Sequence, residues 1–157
     1  MKRANLPAPE NPENVVRPVM IGRRELLTFV DWPVHRIRVK IDTGAYSSAL
    51  DVAGLDLREI EGGGQVARLR LALSRKHPNR LVEVEAPVVR LTVVRNSGGI
   101  PEPRPVIETT VRLGPVTKRI QVTLTRRHGM RFRMLVGRQA LANDFVVDVS
   151  RKYLLRS

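Results

Sequence analysis

The sequence predicts an all-β domain carrying one short helix, and three observations lead there. Val, Ile, Thr and Leu recur in short runs that alternate with charged residues, the period-2 signature of strands with one covered face. Eleven Gly and eleven Pro punctuate those runs. Helical patterning is confined to one brief stretch, Gln139-Ala140-Leu141-Ala142-Asn143. A chain of 157 residues is long enough to bury one core of its own.

Taken in order, residues 1–17 hold Pro7, Pro9 and Pro12 among Asn and Glu, the composition of a disordered arm, and the fold is expected over 18–157. Residues 19–22 begin it. Residues 25–30 read as a strand, and Asp31-Trp32-Pro33 turns into the next, 35–41, where Ile37, Val39 and Ile41 share one face. Trp32, the single tryptophan, reads as a packing residue. Residues 46–52 resume an extended pattern. Residues 55–64 are expected to be a loop or short helix ending in three glycines. Residues 66–73 and 81–86 form a hairpin around a basic turn at 74–80, and 88–94 continue the sheet as a separate strand. The richest Gly/Pro connection is 95–103. Strands at 104–113 and 118–125 meet at Gly114-Pro115, and a basic loop at 125–129 leads to the apolar run Met134-Leu135-Val136. Residues 144–149 and 153–155 read as closing strands, giving about ten in all.

The net charge of +13 favours polyanionic partners: nucleic acid, an anionic membrane surface or an acidic peptide. The charges are spread along the strands, so a solvated basic face accounts for them equally well. Aromatic residues make up 4% of the chain, too few for a base-stacking platform, and no nucleic-acid motif is present. With no cysteine there is neither a disulfide framework nor a thiolate ligand. His35, His77 and His128 are scattered, and no zinc-hydrolase or phosphate-loop motif occurs, so no metal or nucleotide cofactor is expected. No apolar leader follows the basic first residues and no run reaches membrane-span length; the expectation is a cytoplasmic chain without a membrane partner.

The stretch that organises the rest is Lys40-Ile41-Asp42-Thr43-Gly44-Ala45. A carboxylate at the end of a buried strand is costly unless something uses it. Gly44 allows a tight turn and Thr43 a local hydrogen bond. Alone, the tripeptide is equally the pattern of a capped turn. Its reading changes with the second stretch, Met134-Leu135-Val136-Gly137-Arg138, an apolar run closed by Gly-Arg and followed by the helical residues.

This pair of motifs resembles that of retropepsin-like aspartic proteases. The sequence is most similar to a bacterial and archaeal family long labelled ATP-dependent zinc proteases, often found beside ATP-grasp glutamate ligases that add glutamates to ribosomal protein tails. The shared pattern runs through Ile21-Gly22-Arg23-Arg24-Glu25, residues 40–50, Arg104-Pro105-Val106-Ile107, residues 122–126, residues 134–141, Val147-Asp148 and Tyr153-Leu154, covering roughly residues 18–156. The zinc and ATP labels find no support in these residues. Two departures stand out. Asp51 occupies a position that is often His in the family. Tyr46 stands where retroviral proteases carry an acid able to pair with the arginine of Gly-Arg.

The resemblance implies a closed retropepsin-like β-barrel and an aspartic endopeptidase acting on a peptide or protein. Asp42, Thr43 and Gly44 would be its catalytic motif. One Asp-Thr-Gly per chain cannot supply the two carboxyls this chemistry needs, so each subunit of a homodimer would give one. The flap is expected at 96–103, with the 66–86 hairpin as an insertion. Ala45, Arg95, Asn96, Ser97, Gly98, Gly99 and Arg104 would then face substrate, with Gly137 and Arg138 in support. Arg138, behind Asp42, reads either as a further carrier of charge toward an acidic substrate or, as the blander alternative, as the buried structural partner of some acid. A glutamate-rich tail would suit the positive charge. The alternative is a non-catalytic basic module binding RNA or ribosomal components through loops such as 126–128 and 131–133.

Overall fold

The computed structural model describes residues 17–72, 77, 79–95, 98–126 and 131–155. The arm expected at 1–17 lies outside these apart from Arg17, as do most of the 74–80 turn, Asn96, Ser97 and part of the 125–129 loop. The described residues form eleven strands and one helix: β1 (Val19–Gly22), β2 (Arg24–Phe29), β3 (Val34–Ile41), β4 (Ser48–Asp51), β5 (Gly54–Glu59), β6 (Gln65–Ala72), β7 (Leu81–Arg95), β8 (Pro101–Leu113), β9 (Val116–Thr125), β10 (Met134–Val136), α1 (Arg138–Leu141) and β11 (Phe145–Asp148).

Six strands close into a barrel in the order β2-β3-β10-β4-β9-β8, with β2 returning to β8 through Thr28↔Arg112 and Phe29↔Val111. Closure removes the open edges that such a sheet would otherwise expose. The expected all-β barrel with one short helix is what the chain forms. The alternation read in the sequence becomes its inside and outside. In β3, Val39 and Ile41 are buried while Arg38 and Lys40 face solvent. Leu27, Phe29, Leu50, Ile107, Val122, Leu124 and Met134 complete the interior from the other strands. Trp32 packs as expected, its ring stacked on Phe29 at 4.6 Å between centroids, a contact worth about 0.5–1.5 kcal/mol beyond burial. The β2–β3 ladder slips between Leu27 and Phe29. Arg36 there takes a left-handed φ of 54°, and its N–H is captured by the Thr28 hydroxyl at 3.0 Å.

Beyond β8 the sheet continues through β7, β6 and β5 as an extension of the barrel. Here the sequence reading needs two corrections. Residues 54–59, expected as loop or helix, are a full edge strand paired with β6 from Gly54↔Arg70 to Glu59↔Gln65. Most of its side chains are exposed and its apolar alternation is brief, Leu55 and Leu57 only; ion pairs such as Arg70–Asp56 at 2.9 Å accompany the backbone ladder. Residues 81–86 and 88–94 are one strand running through Pro87, not two. Proline removes a ladder donor, and the chain absorbs the defect with a bulge between Val88 and Arg90. The three glycines at 62–64 do close a turn, all with positive φ.

A third correction concerns 153–155, which form no strand. Their N–H groups are taken differently: Tyr153 donates to the Arg24 carbonyl at 2.8 Å, and Leu154 and Leu155 donate to the Glu25 carboxylate at 3.0 and 3.1 Å. Glu25 is fully buried and also accepts the Gly22 N–H at 2.7 Å. Nearby, β1 and β11 form a separate two-stranded parallel sheet, Met20 opposite Val146. At the end of β11, Asp148 accepts from both the hydroxyl and the backbone N–H of Ser150, which holds its carboxyl below the usual carboxylate range.

Glu25→Ala leaves three donors without their acceptor. Hydrogen bonds to a charged group contribute about 1.5–3 kcal/mol each, so the loss should reach at least ~3 kcal/mol. Urea unfolding measures it, and hydrogen exchange should speed up at Gly22, Leu154 and Leu155. A wild-type midpoint would show that the carboxylate does not clamp this segment. Gly137 is constrained in another way. A Cβ there would sit 2.5 Å from the Ser47 carbonyl oxygen, on backbone that cannot swing aside. Gly137→Ala should cost about 1–3 kcal/mol, as overpacking does; an unchanged thermal midpoint would refute the close approach.

Candidate active site

The site follows from how β10 is threaded. It lies between β3 and β4, parallel to the first (Val136↔Ile41) and antiparallel to the second (Met134↔Leu50). Two parallel neighbours end side by side, so the residues leaving them meet. The segment after β3 is Asp42-Thr43-Gly44-Ala45, and that after β10 is Gly137-Arg138. Backbone hydrogen bonds join them: Asp42 N–H donates to Val136 O at 2.9 Å, Arg138 N–H to Ala45 O at 2.8 Å, and Gln139 N–H to Tyr46 O at 3.0 Å. The two motifs are thus one structural unit.

Within it, Asp42 is half-buried and its Oδ1 accepts the Gly44 N–H at 3.1 Å. The turn is closed by Ala45 N–H donating to Asp42 O at 3.2 Å. The tight turn read at Gly44 is present, without a positive φ, and a Cβ there would lie 3.3 Å from Asp42 Oδ1, a close contact with the carboxylate. Thr43 is exposed, and its hydroxyl has no partner among the described residues, while its carbonyl accepts from Arg138 Nη1 at 3.0 Å.

Arg138 corrects an expectation. It is exposed, not buried, and among the described residues no carboxylate lies within ion-pair distance. Its guanidinium rests instead against Tyr46, 6.0 Å from the ring centroid. The residue standing in place of an acid therefore contributes a π face rather than a counter-charge.

The remaining predicted residues fall on the β7–β8 hairpin. Arg95 pairs across it with Pro101 and donates to Gly99 O at 3.2 Å, where Gly99 has a φ of 75°. Arg104 is largely covered and bonded to Glu102 at 3.2 Å. Gly98 lies in the turn, and Asn96 and Ser97 are outside the described residues. Each of these arginines thus has a hydrogen-bonding partner within the hairpin.

Two contributors escaped the sequence reading. Ser48 is buried on β4 and accepts the Gly137 N–H at 3.0 Å, tying the Gly-Arg turn to the barrel wall. Its signal was weak, a serine within the run Tyr46-Ser47-Ser48. Arg23 O accepts the Ile41 N–H at 2.9 Å, so the segment after β1 braces the end of the strand that delivers Asp42. Among the described residues no group of three or more His, Cys, Asp or Glu is placed to hold a metal ion.

The chain is similar to proteins named probable alpha-L-glutamate ligase, 29% identical over 134 residues in Desulfotalea psychrophila and 30% over 136 in Shewanella pealeana. Those alignments cover 82% and 87% of this chain but only 28% and 30% of the ligases, so the chain spans less than a third of the curated relatives it matches. A Legionella pneumophila protein of unknown function has the same fold, with a TM-score of 0.73 at 24% identity over 88% of this chain and 98% of its own. With its family model matched over residues 13–157, the chain belongs to the RimB-like family, the retropepsin-like aspartic endopeptidases.

Proposed function

We propose that this protein is an aspartic endopeptidase, active as a homodimer to which each subunit contributes Asp42, and that its substrates are acidic, glutamate-rich peptides. One observation carries the reading: the half-buried Asp42 carboxylate, oriented by the Gly44 N–H and joined through backbone to Gly137-Arg138, in a chain of this family.

Peptide hydrolysis needs a base to take a proton from water and an acid to protonate the carbonyl oxygen. Two carboxyls sharing a site divide these roles, because like charges held together cannot both ionise and one keeps a proton. In the dimer the ionised Asp42 accepts the water proton as oxygen attacks the scissile carbonyl carbon, and the protonated one gives its proton to the carbonyl oxygen. Collapse of the tetrahedral intermediate breaks the C–N bond, with a proton delivered to the leaving amine. The Gly44 N–H steadies one carboxylate oxygen, and Arg138 fixes the Thr43 carbonyl so that the turn keeps its shape.

The surface supports a two-fold partner. The β1–β11 sheet has no further strand on either side among the described residues, and Met20 (53%), Val146 (44%) and Val149 (69%) are exposed there. Through the Arg23–Arg151 and Ile41–Arg23 hydrogen bonds this sheet connects directly to the strand carrying Asp42. The acidic substrate is supported by the net charge of +13 and by the ligase relatives, in which a stretch similar to this chain lies within a protein named for glutamate chemistry. For the alternative of a basic nucleic-acid module the described surface offers less, since Arg68, Arg70, Arg104, Lys118 and Arg119 are each engaged by a carboxylate.

Asp42→Asn keeps the shape and removes the titratable group. Cleavage of a glutamate-rich peptide should fall by roughly 10²–10⁴-fold or more, with an unchanged circular-dichroism spectrum and sedimentation as a dimer. Equal activity of the purified variant would remove Asp42 from the mechanism. Chelator should leave wild-type cleavage unchanged and ATP should not be required; loss with chelator and rescue by zinc would point to a metal site instead.

A further inference from the structure

Arg138 is a cation held in place without a counter-charge. Its backbone N–H is bonded to Ala45 O and its Nη1 to Thr43 O, so both ends of the residue are fixed against the Asp42 turn. Only that one side-chain donor has a protein acceptor among the described residues. The rest of the guanidinium fork is directed to neither a carboxylate nor a carbonyl, and the residue is exposed. Tyr46 at its side is 60% exposed, its ring centroid 6.0 Å from the guanidinium carbon. Arg104 differs in having the Glu102 carboxylate; Arg95, like Arg138, gives one side-chain donor to a carbonyl, that of Gly99, but on the β7–β8 hairpin rather than against the Asp42 turn.

We infer that Arg138 is the specificity-determining residue for an acidic substrate, receiving a carboxylate of the bound peptide a few residues from the scissile bond. The inference deepens the endopeptidase reading and rests on it for the location of that bond. A planar guanidinium matches a carboxylate by paired, parallel N–H···O bonds. A free acceptor-only group brought here meets donors already ordered, so little side-chain entropy is lost on binding. The tyrosine at position 46 is what leaves the fork available: an acid there would reach the same guanidinium from within the chain and compete with substrate. A carboxylate can come from a glutamate side chain or from the peptide's own C-terminus, and the two sources can be told apart.

Binding tests this independently of turnover. Asp42→Asn protein is titrated, by fluorescence anisotropy, with a labelled hexaglutamate peptide, its hexaglutamine counterpart, and both with the C-terminus amidated. The glutamate peptide should bind more tightly than the glutamine peptide. Adding Arg138→Gln, which keeps a donor for Thr43 O, should weaken glutamate binding by roughly 10–100-fold, the range for a hydrogen-bonded charge. Adding Tyr46→Asp in place of Arg138→Gln should do the same by supplying an internal partner, and it keeps the test decisive should the arginine variant fail to fold. Persistence of the effect in amidated peptides assigns it to a side-chain carboxylate; its loss assigns it to the C-terminus. Unchanged glutamate binding in both variants, or equal binding of glutamate and glutamine peptides to the parent, overturns the inference. Cleavage by the wild-type protein is scored separately: binding that depends on Arg138 without any cleavage would reject the endopeptidase and keep the carboxylate site.

Discussion

A buried carboxylate organises this protein. Glu25 sits at the start of β2 with no solvent exposure and accepts three backbone N–H groups, from Gly22, Leu154 and Leu155. Burying a carboxylate is expensive, and here the cost is offset by converging N–H dipoles rather than by a cation. The consequence is topological. The last described residues are pinned to the corner between β1 and β2, where Arg23 N–H also donates to Arg151 O and Arg24 O accepts from Tyr153. Arg23 then braces Ile41, the residue before Asp42. A buried carboxylate thereby braces the end of the strand that delivers Asp42.

The barrel does the rest of the positioning. Because β10 inserts parallel to β3, two turns far apart in sequence leave the sheet together, and Gly137 passes so close to Ser47 that no side chain fits between. Ser48 fastens that approach from the other wall. The site is therefore built on strand ends within one closed sheet, the arrangement that holds a carboxylate most rigidly. The surrounding exposed turn can be open to substrate without being loose.

Much of this fold was legible in the sequence, and the failures have physical causes. Strands such as β3 and β6 announce themselves because one face is covered, so apolar residues must recur with period 2. The edge strand β5 covers little and is held by backbone pairing and surface ion pairs, so its trace is short, Leu55 and Leu57 beside the glycines of the following turn. Pro87 argued for a strand break where a bulge absorbed the defect. Residues 153–155 carry the apolar character of a strand but satisfy their donors on Glu25, and nothing in a linear reading marks that glutamate as their partner. At the site, the two motifs and their meeting were legible, whereas the buttress Ser48 was not, since a buried hydroxyl looks like any other serine. The tight turn read at Gly44 is present, and the lack of a side chain there also leaves room beside Asp42 Oδ1.

Net charge and local charge do different work here. An excess of thirteen positive charges creates a field that attracts anions in general, but at 0.1 M salt such attraction fades over about 10 Å and cannot select one residue of a peptide over its neighbour. Many of the basic groups are also spent on carboxylates of the same chain, along the β5–β6–β7 face and at Lys118–Asp144. Selection needs a charge that is fixed, short-ranged and uncommitted. On the described surface Arg138 has these properties: a backbone bonded at Ala45, a side chain bonded at Thr43, and a fork left open one residue from the Asp42 carboxylate. Tyr46 beside it presents a ring rather than a counter-charge, so the guanidinium keeps its charge unpaired among the described residues.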